Sequence, residues 1–138
     1  MAKDNRGKRP KGSRDSYAVP VGPVNHDEQS PKFCLHFLAT DFDVHALHPE
    51  KQAAFAKTLQ KLASSRWIDL MLAPRHGQGS ELIPAGDIRA PIPARFGAES
   101  KFMVFRYHGK LPMAGVRVDD VYHVLWIEPE FGRLYDHG

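Results

Sequence analysis

Cysteine is almost absent, since Cys34 is the single one in 138 residues. That excludes an internal disulfide and a multi-cysteine zinc site, and it fits a reducing, cytoplasmic setting. Cys34 lies in the apolar run Phe33–Leu38, where a thiol behaves as a small core residue. Long apolar runs are also missing. No stretch approaches the roughly 20 residues of a membrane-spanning helix, and no apolar signal region stands at the N-terminus. A soluble protein with no membrane partner is expected. Neither a glycine-rich phosphate loop nor a nucleophile motif is present.

Surplus charge is missing from most of the chain. Residues 1 to 32 hold seven Lys/Arg against four Asp/Glu, and the other 106 hold twelve of each. The whole net charge of +3 therefore sits at the N-terminal end. Met1 to Lys32 is poor in large apolar residues and rich in Gly, Pro, Ser and charge. It is expected to be a disordered basic tail, because it cannot bury enough surface to offset its ordering entropy. Its first half, Lys3 to Arg14, carries the cations for phosphate contacts, and a solvated solubility tail is the plainer reading. Tyr17 to Val24 is apolar enough to pack as an extended segment. Residues 33 to 138 form the expected folded domain, about the size of one domain.

Within it, Phe33–Leu38 reads as a strand, followed by a loop from Asp41 to His48. A helix opens at Pro49, with Glu50 in its first turn and Phe55, Leu59 and Leu62 on one face. Ser64-Ser65 interrupts it, and Trp67–Leu72 forms a second short helix stopped before Pro74. Arg75 to Gly79 is a glycine-bearing loop. Three prolines between Pro84 and Pro93 disfavour regular structure there, apart from a short edge strand near Ile83 or Ile88. Phe102–Tyr107, Met113–Val118 and Val121–Ile127 are β-branched and aromatic strands with links too short for a crossover helix. The expected fold class is α+β. A small antiparallel sheet, made of the N-terminal strand and the C-terminal three-stranded meander, carries two helices on one face.

A short Asp119-Asp120 turn pairs Val118 with Val121, Arg117 with Tyr122, Val116 with His123 and Ala114 with Leu125. On this register Val116, Val118, Val121, Leu125 and Ile127 lie under the helices, as do Met103, Phe105 and Tyr107. Met113, Arg117, Tyr122, Val124 and Trp126 lie on an open face with Arg106. Two arginines, a tyrosine and a tryptophan on one face suit phosphate binding and base stacking.

The element order, the strand arginines and the ending Trp126 to His137 resemble the RelE/ParE-type toxins of bacterial toxin–antitoxin pairs, over roughly Phe33 to His137. The resemblance implies one of two activities, metal-independent cleavage of mRNA on the ribosome or inhibition of a protein such as gyrase or a replication factor. It also implies a cognate antitoxin as partner and no cofactor. Carried over by position, Arg106 and Arg117 would hold phosphate, Tyr135 would be the C-terminal aromatic and His137 the acid or base. Tyr122 and Trp126, with Arg75 and His76 of the loop, would contact RNA. A third class of function is an RNA-binding accessory protein that works through the basic tail.

Each of these residues has an ordinary structural alternative. Arg106 and Arg117 are equally suited to salt bridges with Asp119, Asp120 or Glu128. His137 suits a mobile terminus, His76 an exposed loop, and His123 the core. Asp43, His45 and His48 lack the spacing of a metal site, and none is expected.

Overall fold

A computed structural model describes residues 23–74 and 79–138. The elements are β1 (Lys32–Cys34), α1 (Pro49–Ala63), α2 (Trp67–Leu72), β2 (Glu81–Pro84), β3 (Lys101–His108), β4 (Leu111–Val118) and β5 (Val121–Ile127). Local chemistry sets their ends. Pro49 occupies the first turn of α1, where its missing N–H costs nothing. Ser64 ends the helix, its hydroxyl donating 2.7 Å to the Lys61 carbonyl. Asp119, at φ +58°, and Asp120 make the β4–β5 turn, and aspartate is among the few side chains that tolerate the left-handed region.

The strands form one five-stranded sheet in the order β1-β5-β4-β3-β2. β2 to β5 pair antiparallel, whereas β1 runs parallel to β5, with Phe33 opposite Tyr122. The sheet is therefore mixed rather than antiparallel. β1 and β5 are joined through the whole intervening domain, so no hairpin forces them to run in opposite directions.

Both helices lie on one face. Phe55, Leu62, Trp67 and Leu70 pack there against Met103, Phe105, Met113, Tyr122, Val124 and Ile127. Burying each such side chain contributes about 1.5–3 kcal/mol. The opposite face is covered too. Phe42, Ala90, Phe96, Leu134 and Tyr135 close over Phe102, Val104, Ala114, Val116, Leu125 and Trp126. The expected open face does not exist, because the irregular, proline-bearing segment and the C-terminal residues cover it. Backbone bonds hold these covers in place, with Arg89 N–H donating 2.7 Å to Leu134 O and Ala85 N–H donating 2.8 Å to Ser100 O.

The β4–β5 register begins as expected, with Val118 opposite Val121, Arg117 opposite Tyr122 and Val116 opposite His123. It then shifts. Gly115 faces Val124 and Ala114 faces Trp126, so Leu125 is an extra, bulged residue. The bulge carbonyl is used, since Leu125 O accepts 2.9 Å from Ala39 N–H. Met113, Val116, Tyr122, Val124 and Leu125 lie on the faces opposite to those expected, whereas the bulge returns Trp126 and Ile127 to the faces expected of them. β3 fixes them, because Met103 pairs with Gly115 and Phe105 with Met113. Met113, Tyr122 and Val124 therefore go under the helices with Met103 and Phe105.

Arg117 is on that helix-side face as well, and is separated by the sheet from Arg106. Its guanidinium lies 4.4 Å from the Trp67 ring centroid, its Nη2 is 2.7 Å from Asp27 Oδ1, and its Nε donates 2.7 Å to Asp119 O. These contacts are structural. Replacing Arg117 with alanine is expected to destabilise the fold by about 1 kcal/mol, the scale of a cation–π contact plus a half-exposed ion pair. Urea unfolding measures this, and a loss above about 3 kcal/mol or none at all would contradict it.

Asp27 shows that the ordered fold starts before Phe33. Asn25 caps a single 3-10 turn at His26–Glu28, and Gln29 O accepts 2.9 Å from Trp67 N–H. Lys32 Nζ reaches Asp120 Oδ2 at 2.6 Å, and this hydrogen bond holds the Asp120 carboxyl below the usual carboxylate range. The expected tail thus gives up its last residues to the domain. Lys3 to Arg14 lie outside the described residues.

Candidate functional site

On the face away from the helices, β2, the end of β3 and the C-terminal segment enclose a cleft of about 520 Å³. Arg106 reaches it from β3, opposite Pro112 and next to a register shift at Tyr107. Lys110 joins from the β3–β4 turn, where Gly109 at φ +59° allows the tight reversal. Neither cation makes a hydrogen bond or ion pair to a described residue, and both line the cavity. Glu81 and Asp136 supply the acidic side of the wall.

The opposite wall is built on Glu128, just after β5. Its backbone N–H donates 3.0 Å to Pro112 O, and its carbonyl accepts 2.6 Å from the Tyr107 hydroxyl. Burial pushes that hydroxyl up to about 12, and the Glu128 charge acts in the same direction. The Glu128 side chain is itself fully buried. A buried carboxylate must be paired. Oε2 accepts 2.7 Å from Leu134 N–H, and Oε1 lies 2.8 Å from His137 Nε2.

The chain returns to make these contacts through a turn at Gly132, φ +88°, whose carbonyl accepts 2.7 Å from Arg89. The His137 ring stacks on Phe131 at 4.0 Å and 23°, and lies 4.3 Å from the Tyr135 ring at 31°. Two near-parallel rings this close occupy opposite faces of the imidazole, so its plane is fixed. His137 Nδ1 has no partner among the described residues.

The fold therefore brings Arg106, Tyr135 and His137 to one cleft and leaves Arg117 on the other side of the sheet. Tyr122 and Trp126 offer no ring face for stacking, because both are fully buried. The Tyr122 hydroxyl donates 2.6 Å to Met103 O, and burial, with the Tyr135 charge second, pushes it well above the usual range. Trp126 Nε1 donates 3.1 Å to Pro91 O beneath the proline-bearing cover. Arg75 and His76 lie outside the described residues. Gly79, the next described residue after them in the chain, lines the cleft.

Other sequence candidates have local uses. Asp43 Oδ1 accepts 3.2 Å from Ala46 N–H. No group of three or more His, Cys, Asp or Glu among the described residues is placed to hold a metal. His123 is half-buried beside Phe37 and Phe96, and burial, then the Arg95 charge, lowers its imidazole from the usual value. No described helix is long and apolar enough to cross a membrane.

Glu128 and Lys110 were not singled out as site residues from the sequence. The available signal was an acid at the end of an apolar strand, Trp126-Ile127-Glu128, with a histidine nine residues on.

Set against protein-family models, curated proteins and solved structures, the chain matches none. The functional reading therefore rests on the cleft and on the sequence resemblance.

Proposed function

We propose that this chain is a metal-independent endoribonuclease acting on mRNA, the toxin of a type II toxin–antitoxin pair. One observation carries the chemistry. Two cations without described partners, Arg106 and Lys110, share a cleft with an imidazole held in place by a buried carboxylate. RNA can cleave itself through its 2′-hydroxyl if a base takes that proton and cations offset the charge on the phosphorane. Histidine suits proton transfer near neutral pH, and arginine suits the phosphate.

In the proposed reaction His137 accepts the 2′-hydroxyl proton, O2′ attacks phosphorus and the P–O5′ bond breaks. The proton ends on O5′, leaving a 2′,3′-cyclic phosphate and a 5′-hydroxyl end. Arg106 and Lys110 hold the phosphate oxygens. Tyr135 keeps the imidazole plane fixed. The partners are RNA, free or on the ribosome, and an antitoxin.

The exposed apolar side of α2, with Leu72 80% and Met71 51% exposed, favours a second reading. In it the chain binds and inhibits a protein target without catalysis.

The test uses the purified full chain, with EDTA present, on free RNA and in a translating extract. Cleavage to cyclic-phosphate ends, blocked by a 2′-deoxy sugar at the cut site, is the expected result. Intact RNA in both settings, from a chain that arrests growth when expressed, would replace the first reading by the second.

A further inference from the structure

We infer that Glu128 is a positioning residue that sets the tautomer of His137, placing the proton on Nε2 and leaving Nδ1 as the atom that exchanges protons in the cleft. The inference deepens the nuclease reading, and its catalytic consequence rests on that reading. Its structural half stands alone.

The reasoning starts from what each atom can do. An ionised carboxylate only accepts hydrogen bonds. Glu128 has two oxygens and no water access, and both are engaged within the protein. Oε2 faces Leu134 N–H, a backbone donor that cannot reverse its role. Oε1 faces His137 Nε2 at 2.8 Å, so a neutral imidazole there must carry its proton on Nε2. Nδ1 is then the bare nitrogen, on a ring whose plane Phe131 and Tyr135 hold between them. Sequence spacing brings both contacts from one short segment, so docking of the C-terminal residues and choice of tautomer are a single event.

Glu128→Gln tests this sharply. An amide has one acceptor and one donor end. Leu134 N–H claims the acceptor oxygen, which turns the amide NH2 toward His137. Nε2 must then accept, and the proton moves to Nδ1. The substitution keeps size and shape yet inverts the tautomer. In hydrolases that depend on a carboxylate-oriented histidine, the same kind of change lowers the rate by about 10,000-fold through the wrong tautomer.

The experiment is nitrogen-15 NMR of the His137 ring in the full chain, near pH 8, with cleavage measured on the same samples. The expected wild-type spectrum shows a protonated Nε2 and a bare Nδ1, and Glu128→Gln exchanges the two assignments with at least a 100-fold loss of cleavage. A bare Nε2 in the wild type, or the same tautomer in both proteins, overturns the inference. So does a tautomer exchange that leaves an active enzyme at full rate, which removes the catalytic half. The wild-type spectrum is decisive even if the variant does not fold. If the wild-type chain cleaves no RNA but shows the expected tautomer, the nuclease reading fails and the positioning role of Glu128 survives.

Discussion

His137→Gln lowers RNA cleavage by about 100- to 10,000-fold, the range supplied by a positioned acid–base group, and leaves the fold within about 1 kcal/mol of wild type. Glutamine retains an amide N–H for the Glu128 oxygen that Nε2 now faces at 2.8 Å, but it cannot exchange a proton near neutral pH. His137→Ala behaves differently. It gives the same kinetic loss and also strands a fully buried carboxylate, which keeps only the Leu134 backbone N–H as a partner among the described residues. That adds about 1–3 kcal/mol of instability. Arg106→Ala provides the complementary result, a loss of about 100- to 1,000-fold with stability within about 0.5 kcal/mol, since its guanidinium has no described partner to lose. Single-turnover cleavage and urea unfolding read both quantities. Full cleavage by His137→Gln would remove the imidazole from the reaction.

Gly115→Ala is expected to destabilise the domain by about 3 kcal/mol or more, at the severe end for a one-carbon change. A Cβ at Gly115 would collide with the His123 carbonyl oxygen and stand 2.9 Å from its carbon. Both are backbone atoms in the paired strand, so no side-chain rotation relieves the clash. The position lies beside the Leu125 bulge, where β4 and β5 change register. Gly86→Ala serves as the control. Nothing lies within 4 Å of its added Cβ, so that change is neutral to within about 0.5 kcal/mol or mildly stabilising. Comparable urea midpoints for the two variants would show that the hairpin gives way at Gly115.

How much was legible in the residues varies from element to element. Pro49 at a helix start, Ser64 at its end and Pro74 beyond the second helix mark α1 and α2, and both run as read. The three C-terminal strands agree to within two residues at each end. The faces of the last hairpin did not follow, except at Trp126 and Ile127 beyond the bulge. Val116, Tyr122, Val124 and Trp126 are apolar or aromatic on both sides of it, so alternation carries little signal once both faces are buried. Pairing Arg106 with Arg117 relied on that missing signal. The grouping of Arg106, Tyr135 and His137 came from the family resemblance, which carries them over by position, and not from a local signal in the strands. Glu128 could not be placed, because an acid after an apolar strand reads as a surface turn until Leu134 N–H and His137 are seen folded back onto it.

The residues by themselves determined an α+β chain: breakers and caps that act over a few positions, β-branched runs too closely linked for crossovers, and a basic N-terminal stretch before a neutral remainder. Local sterics and side-chain chemistry suffice for those. The tertiary structure alone decided that β1 runs parallel to β5, that both sheet faces are covered, and that Arg117 rests on Trp67. It also decided that Glu128 is buried against His137. Each of these depends on contacts between segments far apart in the chain or on the burial they create. The free energy that selects them comes from excluding water and pairing buried polar groups, terms that no short stretch of sequence contains.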